Sequence, residues 1–545
     1  MLRNVQRLGD TVYDLLVVGS GIYGACVARD AALRGLHVAL VDRADFGGAT
    51  SHNSLKLIHG GLRYLQHLDF PRIRQSLCER RFWLSMAPHL VRPLKFVIPT
   101  YGRGSRGPEA LWLGMKLHEV IGFDRNKAVS AEKHIPAGRI ISSAECLQMI
   151  PHLESKKLRG GAIWYDGQML NADRLLLECV MDSAESGADV ANYVRVENFL
   201  QSNTQILGVQ AIDVIHNQRL EIRAKVTINA CGPWVSDLLG RGNRTKSTKD
   251  NSVFSKGMNL VTRQLFKDYA VGVYSNEQSD AVIGQTKRLF FMTPWSDRTV
   301  IGTSHTPYHG RADDCQFTED DIAAFVEEVN AAYPSADLRL QDVLYCYGGL
   351  TPAEDESNGR EVARARSGEI IDHQRSENVE NLISIVGVKY TTARYVAEKA
   401  VDLAFRKLRK TPAPCTAKQT PVGDARKGPI ASKNREIAAS SRNRTSSKES
   451  RSADVQISSD VRGTDNEPDP QFRARCVHAV RDEMAVRLVD VIYRRTDDAA
   501  RGNLRNTHLV WCADMMSKEL GWTNDRKRQE LEHARMQQTV GALKL

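Results

Sequence analysis

Ser51 to Leu65 reads Ser-His-Asn-Ser-Leu-Lys-Leu-Ile-His-Gly-Gly-Leu-Arg-Tyr-Leu. An imidazole (His59), two glycines (Gly60, Gly61), a guanidinium (Arg63) and a phenol (Tyr64) fall together at its centre. Histidine exchanges protons near neutral pH, arginine clamps a carboxylate or phosphate, and glycine lets the backbone approach a ligand closely. The combination suits the space between a bound cofactor and a small anionic substrate.

What positions these groups begins upstream. Tyr13 to Val18 is an apolar strand, Ile22 to Arg34 reads as a helix, and His37 to Val41 is a second strand ending at Asp42. Between strand and helix, Gly19-Ser20-Gly21-Ile22-Tyr23-Gly24 fits G-x-G-x-x-G in its required context. Gly19 permits the tight turn, Gly21 admits a pyrophosphate to the backbone amides, and Gly24 lets helix and strand pack closely. The helix start faces phosphates, and Asp42 can accept from ribose hydroxyls. The fingerprint does not distinguish NAD from FAD.

Further elements follow. Glu109 to Ile121 is helix-like, with Leu113, Leu117, Val120 and Ile121 on one face, broadened by Trp112 and Met115. That face is expected to pack on the protein's own core, with a membrane surface as the alternative. Strands are expected at Val226 to Ala230, Leu289 to Met292, Val300 to Gly302, Val343 to Tyr347 and Leu382 to Gly387. The first enters a turn, Ala230-Cys231-Gly232-Pro233-Trp234, where backbone can meet a cofactor. A helix from Ala393 to Arg406 can be capped by Thr391 or Thr392, its positive end suiting an anion. Phe472 to Tyr493 reads as one helix, and a final pair runs from about Leu509 to Leu520 and Asp525 to Gln538.

The chain of 545 residues should hold two or three domains. Its excess charge of +10 is uneven: residues 424–454 hold eight basic and four acidic groups amid Ser and Asn, the pattern of a disordered linker rather than a nucleic-acid site. The ten cysteines form no CxxC pair, which fits a reducing compartment and argues against a zinc or iron–sulfur centre; no metal site is expected. No apolar run is long enough to span a bilayer, and Met1 to Val12 lacks a signal-peptide core. The expected location is cytoplasmic, with any membrane contact peripheral on the inner face.

Several separated motifs, in order, resemble the FAD-dependent glycerol-3-phosphate dehydrogenases within the D-amino-acid-oxidase-like flavoproteins. They are the glycine fingerprint, Ala49-Thr50-Ser51, Lys56 to Leu65, Ala87 to Pro93, Asn229 to Trp234, Gly387-Val388-Lys389-Tyr390-Thr391-Thr392, and the C-terminal segments Asp482 to Leu488 and Arg494 to Thr496. The resemblance implies FAD rather than NAD. It implies an α/β fold: a doubly wound FAD-binding domain (about 10–70, 155–240 and 345–408), a β-sheet cap or substrate domain (about 71–154 and 241–344), a basic linker (411–468), and a C-terminal all-α domain (469–545). It also implies oxidation of a secondary alcohol beside a phosphate, with the hydride passing to the flavin and electrons onward to a quinone.

Residue by residue, the resemblance places Gly19 to Gly24, Asp42, Arg43, Thr50, Ser51, Lys56, Leu57, His59, Gly60, Ala230, Gly232, Trp234, Gly387, Lys389, Tyr390 and Thr391 on the cofactor. His59, Arg63 and Lys389 become catalytic candidates, while Tyr64 and Arg366 hold substrate. Three positions depart from the family pattern. Asn259 stands for a pocket histidine, Thr351 for a substrate arginine, and His305 for an acid, making His305 a candidate relocated base. Expected partners are a small anionic substrate, a quinone or other acceptor, a peripheral membrane contact and a second copy of the chain; nucleic acid is not among them. Rival readings are a same-fold oxidoreductase for another alcohol, hydroxy acid or amine, and a non-catalytic FAD-binding scaffold or sensor.

Overall fold

The computed structural model describes residues 1–101, 107–240, 253–279, 286–354, 363–364, 368–387, 389–427, 468–502, 504–538 and 543–544. Val12–Val18 lies at the centre of an eight-stranded sheet, with parallel neighbours Val38–Val41 on one side and Gln218–Asn229 on the other. Leu382–Val386 extends the sheet beyond Gln218–Asn229, and Asp189–Ala191 beyond Val38–Val41. Leu15 to Val18, Val38–Val41 and the Val226 to Ile228 end of the Gln218–Asn229 strand are buried because helices cover the sheet, among them Ile22–Leu33, Ala172–Glu185 and Ala393–Lys407. The chain leaves the central strand toward opposite sides, so the ligand crevice of this doubly wound fold opens at its carboxyl end, where the glycines are.

A second sheet of ten strands carries the cap. Its order is Ala363–Arg364, Val343–Glu354, Phe254–Arg263, Arg298–Tyr308, Thr286–Trp295, Tyr269–Ser279, Val91–Tyr101, Leu158–Met169 and Leu57–Ile58, with Arg139–Ile141 also paired to Leu158–Met169. Leu57–Ile58, Leu158–Met169 and Val343–Glu354 fall in segments expected to belong to the nucleotide-binding domain. The two sheets therefore exchange strands along the chain.

Two other expectations change. Phe472 to Tyr493 is not one helix: Pro470–Asp482 ends, Met484 takes φ +58°, and a wider turn follows over Asp490–Arg495. Asp490 supplies the reason, its Oδ2 accepting the N–H groups of Val486 and Arg487 at 3.0 and 2.8 Å and so starting a new element. The beginning of the expected linker is ordered. Arg29 donates to the carbonyls of Ala417, Thr420 and Pro421, and buried Val422 donates its N–H to Met86. Residues 428–467 lie outside the described residues.

The C-terminal helices Pro470–Asp482, Asn506–Leu520 and Asn524–Gln538 pack on the cap sheet through Val261, Trp295, Val300, Tyr345 and Tyr347. Their tie to the nucleotide-binding domain is ionic. Asp45, buried just past the second strand, accepts from Arg494 at 2.6 Å and from both terminal nitrogens of Arg495 at 2.8 and 3.0 Å. Burial alone would raise its carboxyl; the two guanidinia reverse this and hold it well below the usual range. Nearby, the buried Lys56 ammonium lies 4.4 Å from the Tyr347 ring centroid, 4.8 Å from that of Trp295 and 3.9 Å from Asp173 Oδ2. His52 Nδ1 meets the same carboxylate at 2.8 Å, and Asn171 donates to Asp497 at 2.5 Å.

Removing one member of a buried ion pair costs about 3–5 kcal/mol because the partner charge stays buried. Asp45→Ala should therefore lower the denaturation midpoint and expose residues 468–538 to limited proteolysis; unchanged susceptibility would refute the tie. A pH effect follows from Asp497, which burial raises to about 7 despite Lys56. A carboxyl raised on folding contributes stability that is full below its unfolded pKa of about 4 and lost as pH climbs through 7. Asp497→Asn should thus shrink the fall in unfolding free energy between pH 5 and pH 8, by as much as ~3 kcal/mol, measured by denaturant titration at both pH values.

Candidate active site

At the nucleotide end, Gly19 has φ +97°, and a Cβ on Gly24 would lie 1.8 Å from Gly19 O. Larger residues would force helix and strand apart. Ser51 Oγ accepts the Ile22 N–H at 2.9 Å, bringing the loop onto the helix start. Asp42 Oδ2 accepts the N–H and hydroxyl of Ser20 at 2.6 and 2.7 Å, and burial raises its carboxyl against these donors. Ala230 donates its N–H to Val18 O at 2.8 Å, which holds the Ala230–Gly232 turn beside the glycines. A glycine cradle, a helix start whose N-cap residue Gly21 has no side chain to cap it and an acid at the next strand's end fit a dinucleotide's pyrophosphate and ribose.

From Ser51 the loop runs to Leu57–Ile58, which pairs with Gln168 and Gly167 of the cap sheet. His59 follows at once. Its N–H donates to Thr391 Oγ1 at 3.1 Å, and its ring Nδ1 faces Asp166 Oδ2 at 3.7 Å. The imidazole is 45% exposed while Asp166 is buried, so one side is fixed and the other accessible. Asp166 Oδ1 accepts the Gly60 N–H at 2.6 Å and also the Arg80 guanidinium. Burial raises the Asp166 carboxyl, but Arg80, His59 and the Gly60 amide outweigh it and hold it at about 2. A Cβ on Gly60 would lie 2.4 Å from Arg80 Nη1, so this glycine makes room for the arginine.

Lys389 stands across the domain seam. The Tyr23 hydroxyl donates to Lys389 O at 2.8 Å, the Tyr23 ring packs where a side chain on Gly387 would sit, and the Lys389 ammonium lies 4.4 Å from the Tyr64 ring centroid. Thr392 precedes the Ala393–Lys407 helix without a side-chain cap bond, and Thr391 is engaged by His59. Neither threonine is seen to cap the helix as expected. The Arg63 side chain and Arg366 lie outside the described residues.

The three departures meet on one face of the cap sheet. Register pairs Ser255 with Thr351, Gly257 with both His305 and Gly349, and Asn259 with Tyr347. His305 Nδ1 is 2.9 Å from Ser255 Oγ, and Thr303 donates its hydroxyl to Asn259 Oδ1 at 2.7 Å. Thr50 donates to Leu350 O at 3.0 Å and Asn259 donates to Asn53 O at 3.4 Å, so the face is joined to the cofactor loop.

Some expected cofactor contacts lie elsewhere. Lys56 turns its ammonium toward Trp295, Tyr347 and Asp173, so it can meet a nucleotide only through its backbone. Lys56 takes φ +59° just ahead of the Leu57–Ile58 strand, and the side chain of Leu57 is buried beside Leu94 and Phe96. Tyr390 donates its hydroxyl to Ala172 O at 2.9 Å. The sequence reading missed Asp166 and Arg80; the local signal for the first is a carboxylate directly after the run Ala162-Ile163-Trp164-Tyr165.

Comparison with known proteins points to one family. Residues 14–403 match the family described as FAD dependent oxidoreductase, and residues 444–527 match the C-terminal domain of alpha-glycerophosphate oxidase. A glycerol-3-phosphate dehydrogenase of Synechocystis sp. (strain ATCC 27184 / PCC 6803 / Kazusa) is 32% identical over 564 residues, covering 98% of each chain. The aerobic glycerol-3-phosphate dehydrogenase of Staphylococcus aureus (strain USA300) is 30% identical over 418 residues, 76% of this chain and 71% of its own. The glycerol-3-phosphate dehydrogenase from Bacillus halodurans complexed with FAD shares the fold, with a TM-score of 0.70 at 23% identity, over 99% of this chain and 97% of that one.

Proposed function

The chain belongs to the FAD-dependent glycerol-3-phosphate dehydrogenase family, and from that premise we propose that it oxidises sn-glycerol 3-phosphate, or a closely related hydroxylated anion, and passes the electrons to a quinone. It is an FAD-dependent oxidoreductase. The observation that carries the substrate reading is His59, half-exposed and backed by the ionised Asp166, beside the segment that bears Lys389 and Tyr64.

When bound, FAD supplies the acceptor for the carbinol hydride. His59 takes the hydroxyl proton on its exposed side, and Asp166 behind it stabilises the positive charge this creates. The Lys389 ammonium and the Tyr64 phenol serve the anionic end of the substrate, together with Arg63 and Arg366. Thr391 fixes the His59 backbone, so proton acceptor and cofactor-facing helix start move as one unit. Retention of this set speaks for catalysis over a scaffold role.

A second substrate reading has its own support. Thr351 presents a hydroxyl where a phosphate would gain a bidentate guanidinium, and His305 sits beside Ser255 on the same face. That face suits a hydroxylated anion with fewer phosphate contacts than its relatives provide.

The acceptor reading rests on the Pro108–Ile121 helix. Its apolar side was expected in the core, but Met115 is its one buried residue. Leu113 is 63%, Val120 70% and Phe123 79% exposed, with Trp112, Leu68 and Phe70 nearby on the surface. So broad a ridge marks an interaction surface, and it adjoins the site, since His118 Nε2 lies 3.0 Å from Gly60 O. No helix among the described residues is long and apolar enough to cross a membrane. The ridge suits peripheral contact with a lipid surface, where a quinone resides.

Anaerobic mixing tests the substrate: glycerol 3-phosphate should bleach the flavin, whereas bleaching only by other alcohols, hydroxy acids or amines selects the second reading and none at all selects a scaffold. In the Thr351→Arg variant the KM for glycerol 3-phosphate should fall by about tenfold; no change would refute the account of the altered face. For the acceptor side, the holoenzyme should float with phosphatidylglycerol vesicles, and Leu113→Ser/Val120→Ser/Phe123→Ser should abolish flotation. A wild-type protein left at the bottom of the gradient refutes the lipid contact.

A further inference from the structure

Arg43 and Trp234 stand at the ends of the two strands that flank Val12–Val18. Arg43 follows Asp42 at the end of Val38–Val41, and Trp234 closes the turn after Gln218–Asn229. Across the carboxyl end of the central strand the Arg43 guanidinium lies 3.9 Å from the Trp234 ring centroid. One oxygen joins them: Asp313 Oδ1 accepts from Arg43 Nη2 at 3.0 Å and from Trp234 Nε1 at 2.8 Å. Asp313 lies in the short Ala312–Asp314 turn of the cap region, so residues from three separate chain segments close on one another. Trp234 is buried, while Arg43 and Asp313 are about a third exposed, as expected of a closure at the mouth of a crevice rather than in its floor.

We propose that Arg43, Asp313 and Trp234 form a latch over the ribose end of the FAD crevice, and that Asp313 is the positioning residue that sets how slowly the cofactor leaves. Asp42, which faces the ribose, is the immediate neighbour of Arg43, and Gly19 and Ser20 lie beneath on the central strand's exit. A nucleotide seated on the glycine turn would have to pass the latch to escape. Each contact is modest alone: a cation over an aromatic face and a partly exposed ion pair are both weak individually. Because one carboxylate oxygen serves both partners, removing its charge weakens both contacts at once. Burial acts to raise the Asp313 carboxyl, but the Arg43 guanidinium and the Trp234 N–H outweigh it and lower it, keeping it charged across neutral pH. The latch depends on FAD binding alone and is independent of the substrate and acceptor proposed above.

The test is release of FAD from the holoenzyme diluted into cofactor-free buffer, followed as free-flavin fluorescence. Asp313→Asn should release FAD on the order of ten times faster, and Asp313→Glu, which keeps the carboxylate, should stay near the wild-type rate. Raising salt should speed release from the wild type and leave Asp313→Asn nearly unaffected. Thermal unfolding of the apoprotein separates a latch from a brace: a loss of apoprotein stability with unchanged release would overturn the proposal. So would slower release from Asp313→Asn, which would mean that bound FAD displaces the contact. These results stand apart from the bleaching experiment, since a wrong substrate leaves the release rate untouched.

Discussion

The buried Asp166 carboxylate organises the site. On one oxygen it receives the backbone amide of Gly60 and the guanidinium of Arg80, and its other oxygen faces the His59 imidazole. Those groups come from the cap sheet, the cofactor loop and the Phe70–Met86 helix, so one anion holds three elements in register. A buried carboxylate is tolerable only with such partners, and the partners in turn become fixed. The same compensation explains Gly60, where any side chain would meet Arg80, and makes His59 an imidazole anchored on one side and open on the other.

A second buried anion does the corresponding work between domains. Asp45 receives Arg494 and Arg495, so the C-terminal helices are keyed to the end of a nucleotide-binding strand while their apolar faces cover the cap sheet. Between the two anions runs the loop 49–61, bound at Ser51 to the Ile22–Leu33 helix, at Thr50 to the Val343–Glu354 strand and at Leu57–Ile58 to the Leu158–Met169 strand. Every expected functional group on that loop is thus positioned by both sheets at once. That is the physical link between a nucleotide site on one sheet and a substrate face on the other.

Legibility in the sequence followed the range of the interactions. The strand–glycine–helix–strand unit was readable because its reasons are local: turn conformation, helix packing, and an acid at the next strand's end. The Pro108–Ile121 stripe had the period of a buried face and yet lies open, because periodicity reports where apolar groups point and not what covers them. Lys56 sat in a cofactor motif, but its left-handed backbone, φ +59°, accompanies an ammonium that lies by Asp173 and two aromatic rings. The run from Phe472 to Tyr493 kept a helical period across a break that Asp490 creates by accepting backbone amides at its start.

By itself the sequence determined the elements whose energetics are short-range: the dinucleotide crevice, the His59–Tyr64 segment, the helical C-terminal region and the ordered motifs that mark the family. Only the tertiary structure decided which groups confront one another. It put Asp166 behind His59, gathered Asn259, His305 and Thr351 onto one sheet face, exposed the apolar helix and closed Arg43 on Trp234 through Asp313. Those meetings join residues tens to hundreds of positions apart. They depend on sheet register and on charges that must be neutralised once buried, and neither quantity is a property of any local stretch of chain.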